Sequence, residues 1–167
     1  IQGVFQTYIG AEPGVLTVAP AGDAYDITID ISPYLKKITL PGFTSKVDAI
    51  KIQATPNGDG TWAVTSNSPM TATADAPDLF NFSMGAKSFT WSGTYSEALY
   101  SFSDSKYDMT GFTMSQRTID PTTKMISNTA TAVESMSGVR TATDAGNGLA
   151  NSDASISFSG VVCSTTI

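Results

Sequence analysis

The chain has 167 residues, no histidine, one cysteine and a net charge of −6, with 14% of its residues charged. That length fits a single domain able to bury a core without disulfides or metal. The missing histidine excludes Ser-His-Asp and Cys-His chemistry, and a lone cysteine excludes an internal disulfide or a thiolate zinc cluster. Nine basic residues spread along the chain argue against nucleic acid or an anionic membrane as partner. No apolar run approaches the ~18 residues of a membrane span, so no membrane insertion is expected. No nucleophile–base pair or metal cluster points to an enzyme or to a cofactor. The low charge content is unlike most cytosolic proteins, and the chain opens on Ile1, so export with loss of a leader is the expectation.

The clear periodicity is two, that of strands with one buried face. At the start, Ile1, Gly3, Phe5, Thr7, Ile9 and Ala11 share one side of an extended run, which Glu12-Pro13-Gly14 cuts off before a second run at Val15–Val18. Ile27, Ile29 and Ile31 alternate with polar residues, and so do Ile50, Ile52 and Ala54. Trp62 and Val64 follow a Pro56–Gly60 turn, the best hairpin signal in the chain. Phe80, Phe82 and Met84 form another run, followed by Phe89 and Trp91. Pro41-Gly42, Met84–Lys87 and Ser92-Gly93 read as breakers.

From Thr118 to Asp153 the residues are mostly Thr, Ser, Ala, Asn and Gly. This stretch reads as long surface loops and short edge strands, with room for a short helix near Asn128–Met136. Ile156 and Phe158 then alternate with serines in a closing strand, where Cys163 reads as a buried, inert thiol. Strand, turn and strand at short spacing predict an all-β antiparallel sandwich or barrel. Trp62 and Trp91 are expected in its core, and Asp75, Asp78, Asn57 and Asp59 as solvated turn residues rather than calcium ligands.

The opening strand has two readings. It is the first strand of its own sheet, or it leaves its domain to fill a groove in a neighbour. Strand addition satisfies an open sheet edge and an apolar groove together, and repeated head to tail it yields a fibre.

In the order of its segments the chain resembles the major pilins of alpha-clade, colonization-factor-type chaperone–usher fimbriae. The likeness rests on Phe5, Thr7, Ile9, Ala11, Glu12, Pro13, Val15, Val18 and Gly22, then Ile27, Ile29, Ile31 and Ser32-Pro33. It continues through Ile50–Asn57 and Phe80–Phe89 to Phe158-Ser159-Gly160-Val161-Val162. Glu12 stands where those pilins usually carry aspartate, and Ser152–Ser155 replaces their Ala-Gly-x-Tyr run.

The resemblance implies an incomplete immunoglobulin-like β-sandwich with an N-terminal donor strand: residues 1–12 as the donor and 13–167 as one pilin domain. Phe5, Thr7, Ile9 and Ala11 become the groove-filling side chains, Glu12 and Pro13 the hinge, and Ile156, Phe158, Val161 and Val162 candidates for the acceptor groove. It implies a homopolymer on the cell surface that supports adhesion to host surfaces, assembled with a periplasmic chaperone and an outer-membrane usher and joined by a minor tip adhesin. Two other readings stay open: a phage virion β-protein of the tail-tube or decoration kind, and a secreted carbohydrate-binding module.

Overall fold

In the computed structural model, residues 10–146 and 149–167 are described. They form β1 (Leu16–Ala21), β2 (Ala24–Ile29), a short helix α1 (Ser32–Leu35), β3 (Thr44–Val47), β4 (Ile50–Pro56), β5 (Thr61–Ser66) and β6 (Met70–Ala76). There follow β7 (Phe80–Ala86), β8 (Ser88–Ser96), β9 (Ser101–Ile119), β10 (Ile126–Gly146), β11 (Leu149–Ser159) and β12 (Val162–Thr166). The all-β class is as the alternation predicts. The strands form one open antiparallel sheet, in the order β1-β2-β4-β5-β8-β9-β7-β6-β3, with β10, β11 and β12 beyond β9.

The turns explain much of this connectivity. In the Pro56–Gly60 hairpin the Asp59 carboxylate accepts from the Thr61 amide at 2.9 Å and the Thr61 hydroxyl at 2.6 Å, closing β4 onto β5. Pro41-Gly42 forms a turn in which the Phe43 amide reaches the Leu40 carbonyl at 3.1 Å. Asp30 accepts from the Ser32 amide at 2.8 Å at the start of α1, with Pro33 in the first helical turn. Ile31 therefore ends outside β2 and before the helix rather than in the alternating strand.

The core lies on one face of β1, β2, β4, β5 and β8. Ile27, Ala54 and Val64 are buried there, and Leu16, Val18, Ile29, Ile52, Trp62, Trp91, Tyr95 and Phe102 pack against them. Register brings them together: Val18 faces Ile27, Ile27 faces Ile52, and Ala54 faces Val64. Phe102 meets Trp91 edge-on at 4.8 Å and Tyr95 at 5.5 Å, geometries that aromatic rings prefer. Both tryptophans thus belong to the core side, and Trp62 keeps its indole N–H on the Glu97 carboxylate at 2.7 Å.

Three expectations need correction. Ser92-Gly93 lies inside β8, and Gly85-Ala86 inside β7, so only Lys87 interrupts that run. Thr118–Asp153 is not mainly loop: most of it belongs to the antiparallel hairpin of β10 and β11, which extends past the start of β9. Asn128–Met136 is strand, not helix. Thr and Ser on exposed faces weaken the hydrophobic alternation that marks a strand, while β-branched Thr still favours extended backbone. Tyr107 lies across Gly138, where a Cβ would sit 2.4 Å from its ring, so a bare glycine in mid-strand is sheltered by an aromatic neighbour.

Candidate functional site

Among the described residues the open sheet has three edges without a paired strand, and they are built differently. β1 has six residues and carries Pro20, which cannot donate to an added strand. β3 has four residues and carries Lys46. Shortness, proline and lysine are common means of blocking edge-to-edge pairing. The third edge runs along β11 and then β12. Between Leu149 and Thr166 it has no proline, lysine or arginine, and Asp153 is its only charge.

Every residue of β11 and β12 is exposed. This includes Ile156 and Phe158, each 57% exposed, and Val162 at 63%; Val161, between the two strands, is 54% exposed. The buried face expected for the closing strand is therefore uncovered, and Cys163 is an exposed thiol rather than a buried one. Its sulfur lies 3.7 Å from the Thr131 hydroxyl on β10.

The four acceptor candidates do not share one face. Phe158 stands in a cross-strand row with Met136, Met109 and Phe89, and Ile156 in a row with Gly138, Tyr107 and Trp91. Directly opposed residues share a face. These two side chains therefore continue the core face of the sheet to its last strand, where both are exposed. Val162 instead borders a shallow groove with Thr113, Ala132 and Ser164. Val161 lies in the gap between β11 and β12.

That gap belongs to a line of irregularities across the sheet. Lys87 separates β7 from β8, Gly111 at φ 59° and Glu134 drop out of the ladder between the continuous strands β9 and β10, and Gly160, also at φ 59°, lies between β11 and β12. The inward-facing set of β10 changes at this level from Thr129, Thr131 and Val133 to Met136, Gly138 and Ala142. Such a change is what one extra residue in a strand produces. Pairing resumes on both sides without a shift, since Val133 faces Phe112 and Ser135 faces Thr110. The Lys87 side chain lies over Gly111, within 2.7 Å of where a Cβ would stand, and Glu134 lies within 2.6 Å of the same point on Gly160. Sequence reasoning missed this row. A lone glycine inside a strand was the available signal at Gly111.

The N-terminal candidates divide. Phe5, Thr7 and Ile9 lie outside the described residues. Ala11 and Pro13 are exposed and Glu12 is half-buried. Glu12 pairs with Lys37 at 2.6 Å, and its carbonyl accepts from the amide of Val15, which is fully buried. Residues 10–15 are thus held at the β1 side. The β11 edge lies seven strand steps away, about 34 Å along the sheet at the usual spacing.

The perturbed carboxylates serve turns, not this edge. Hydrogen bonds from Thr61 hold Asp59 below the ordinary aspartate value, those from Thr123 and Thr122 do the same for Asp120, and those from Ser32 for Asp30. Asp75, expected in a turn, lies in β6, where its carboxylate accepts from the Asn81 side-chain amide at 3.0 Å. Among the described residues no three His, Cys, Asp or Glu side chains gather to hold a metal. Comparison with known protein families, curated proteins and solved structures finds no match in any of the three.

Proposed function

We propose that the chain is a structural major subunit of a bacterial surface fimbria that polymerises by strand addition and supports adhesion to host surfaces. The observation that carries this reading is the contrast between edges: β1 and β3 are guarded, whereas β11–β12 is long and unguarded and ends the core face at Ile156 and Phe158. An added strand there hydrogen-bonds the open edge and covers these apolar side chains. Each fully buried side chain of this size contributes about 1.5–3 kcal/mol.

In this reading the donor is the run through Phe5, Thr7, Ile9 and Ala11 of a neighbouring copy, with Glu12 and Pro13 as the hinge. Donor and acceptor on opposite sides of a sheet make a head-to-tail contact that does not close on itself. The body is then an incomplete immunoglobulin-like sandwich, with the row of breaks as the corner where strands pass from one layer to the other. A periplasmic chaperone covers the edge before assembly, an outer-membrane usher exchanges it, and a separate tip subunit carries the receptor site.

Negative-stain microscopy of the protein from its native surface, paired with gel mobility before and after boiling in detergent, tests this. Thin fibres that release monomers only on boiling are expected. Monomers alone overturn the reading in favour of a binding module, and rings or wide tubes overturn it in favour of a virion protein. Ile9→Asp is expected to abolish the fibres, and fibres that persist in it remove the donor assignment.

A further inference from the structure

We infer that the free β11 edge pairs with the β11 edge of a second copy, in a closed antiparallel dimer whose two-fold axis passes through Ala154. This pairing goes beyond strand addition and does not depend on the donor run. It gives the same edge a second occupant, a copy of itself. β11 is suited to it. All 11 of its residues are exposed, and from Ala150 to Ser159 its register to β10 is unbroken, so the backbone groups on its free side keep a regular repeat.

Two identical edges that meet about a two-fold axis run antiparallel. The axis stands perpendicular to the sheet, so the core faces of both copies lie on the same side. Directly opposed residues share a face, and the axis must therefore fall on a residue rather than between two. Ala154 is the midpoint of β11, and an axis there pairs the whole strand.

The side chains fit that register on both faces. The core-side row is graded: Ala150, Ser152 and Ala154 are small, and Ile156 and Phe158 are large. Reversal about Ala154 sets Phe158 opposite the second copy's Ala150 and Ile156 opposite its Ser152, so each large side chain meets a small one. On the outer row Asp153, the only charge of this edge, falls opposite the second copy's Ser155, a hydroxyl that donates to a carboxylate. Asn151 falls opposite Ser157. Neighbouring registers are worse. An axis at Asp153 sets two aspartates directly opposite each other, which destabilises a strand pair. An axis at Ser155 sets Leu149 and Ala150 against Val161 and Gly160, which lie between β11 and β12, where Gly160 turns the backbone at φ 59°.

The ladder at the Ala154 register is about 37 Å long and joins two 12-stranded sheets into one. Such a contact uses the same patch on both copies and closes on itself. It occupies the edge that an added donor needs, so dimer and fibre compete for β11, and a subunit in the dimer is withheld from head-to-tail growth. An edge-to-edge contact is small, and the dimer is expected to be weak and concentration-dependent.

Sedimentation and cross-linking of the full-length Ile9→Asp chain test this. Its mass is expected to rise from one subunit towards two with concentration. Adding Ala154→Asp, which sets like charges at the axis on an exposed strand, is expected to hold it at one. With Cys163→Ser also present to remove the native thiol, Ala154→Cys places two cysteines directly opposite each other, at a Cα separation of about 4.5–5.5 Å that a disulfide spans. Oxidation is expected to give a covalent dimer. Ser152→Cys, displaced from its counterpart by about 14 Å along the strand, is expected to stay monomeric. A chain that sediments as one subunit at every concentration overturns the dimer and leaves strand addition standing. So does a dimer that Ser152→Cys cross-links as readily as Ala154→Cys. Fibres are read separately, on material from the native surface, so strand addition can fail while the dimer stands.

Discussion

The two sides of the sheet share one ladder geometry and differ in what covers it. Among the described residues, the buried apolar side chains are Val15, Ile27, Ala54, Val64 and Ala76 before position 80 and only Met109, Val133 and Ala142 after it, with none in β11 or β12. On the first side β1, β2, β4 and β5 each have a ladder and an apolar face against other side chains. On the second side β11 has a ladder to β10 and little else. Backbone hydrogen bonds contribute little net stability where water competes for the same groups, and an isolated hairpin is marginal. The thin side therefore gains most from an added partner, and it is also the side with the unguarded edge.

The largest expected effect breaks the thick side. Ile27→Ala removes a side chain that is 2% exposed at the centre of the core cluster, and a cost of about 2–5 kcal/mol is expected in chemical denaturation. A cost near zero sinks the comparison, because it means that the core face of β2 is not what holds the sheet.

Next comes the matching change on the thin side. Phe158→Lys alters a side chain of similar apolar size that is already 57% exposed, so the isolated subunit should change by no more than about 0.5 kcal/mol. Lysine on the edge introduces the guard that β3 already has. The expected outcome is a folded subunit by circular dichroism that no longer assembles. A subunit that unfolds shows instead that Phe158 is structural and that the edge is not free in solution.

The same contrast explains what was legible in the sequence. On the thick side one face is buried and the other solvated, so Ile27, Ile29 and Ile52 alternate with polar residues and the strands can be read directly. In β10 and β11 both faces carry Thr, Ser and Ala, and the alternation that normally marks a strand nearly vanishes. The Asp120-Pro121 turn was a usable sign that a hairpin begins there. Asp120 does close β9 onto β10, accepting from the amides of Thr122 at 2.9 Å and Thr123 at 2.6 Å. The apolar residues of the closing strand were visible in sequence, but not their exposure. Whether Ile156 is covered depends on which element lies over that end of the sheet, and no local pattern encodes that. The row of breaks was hidden for a similar reason, since four positions far apart in the chain align only once the register is set.

The smallest effect sharpens the comparison through pH. Asp59 closes a turn on the thick side and Asp120 closes one on the thin side, and hydrogen bonds hold both carboxyls below their ordinary value. An unfolded aspartate titrates near ~3.9. A carboxyl depressed in the folded state adds stability above that point, and the contribution is lost as pH falls through the folded value. The melting temperature should therefore be flat from neutral pH to about pH 5 and fall below about pH 4. Asp59→Asn and Asp120→Asn should each shallow that acid limb. Since the two carboxylates act alike, a steeper acid loss of amide protection around 120–125 than around 57–61 in the parent chain isolates the packing difference between the sides. Equal losses mean that the β9–β10 turn is supported as firmly as the β4–β5 turn, and that the thin side is thin only at its last strand.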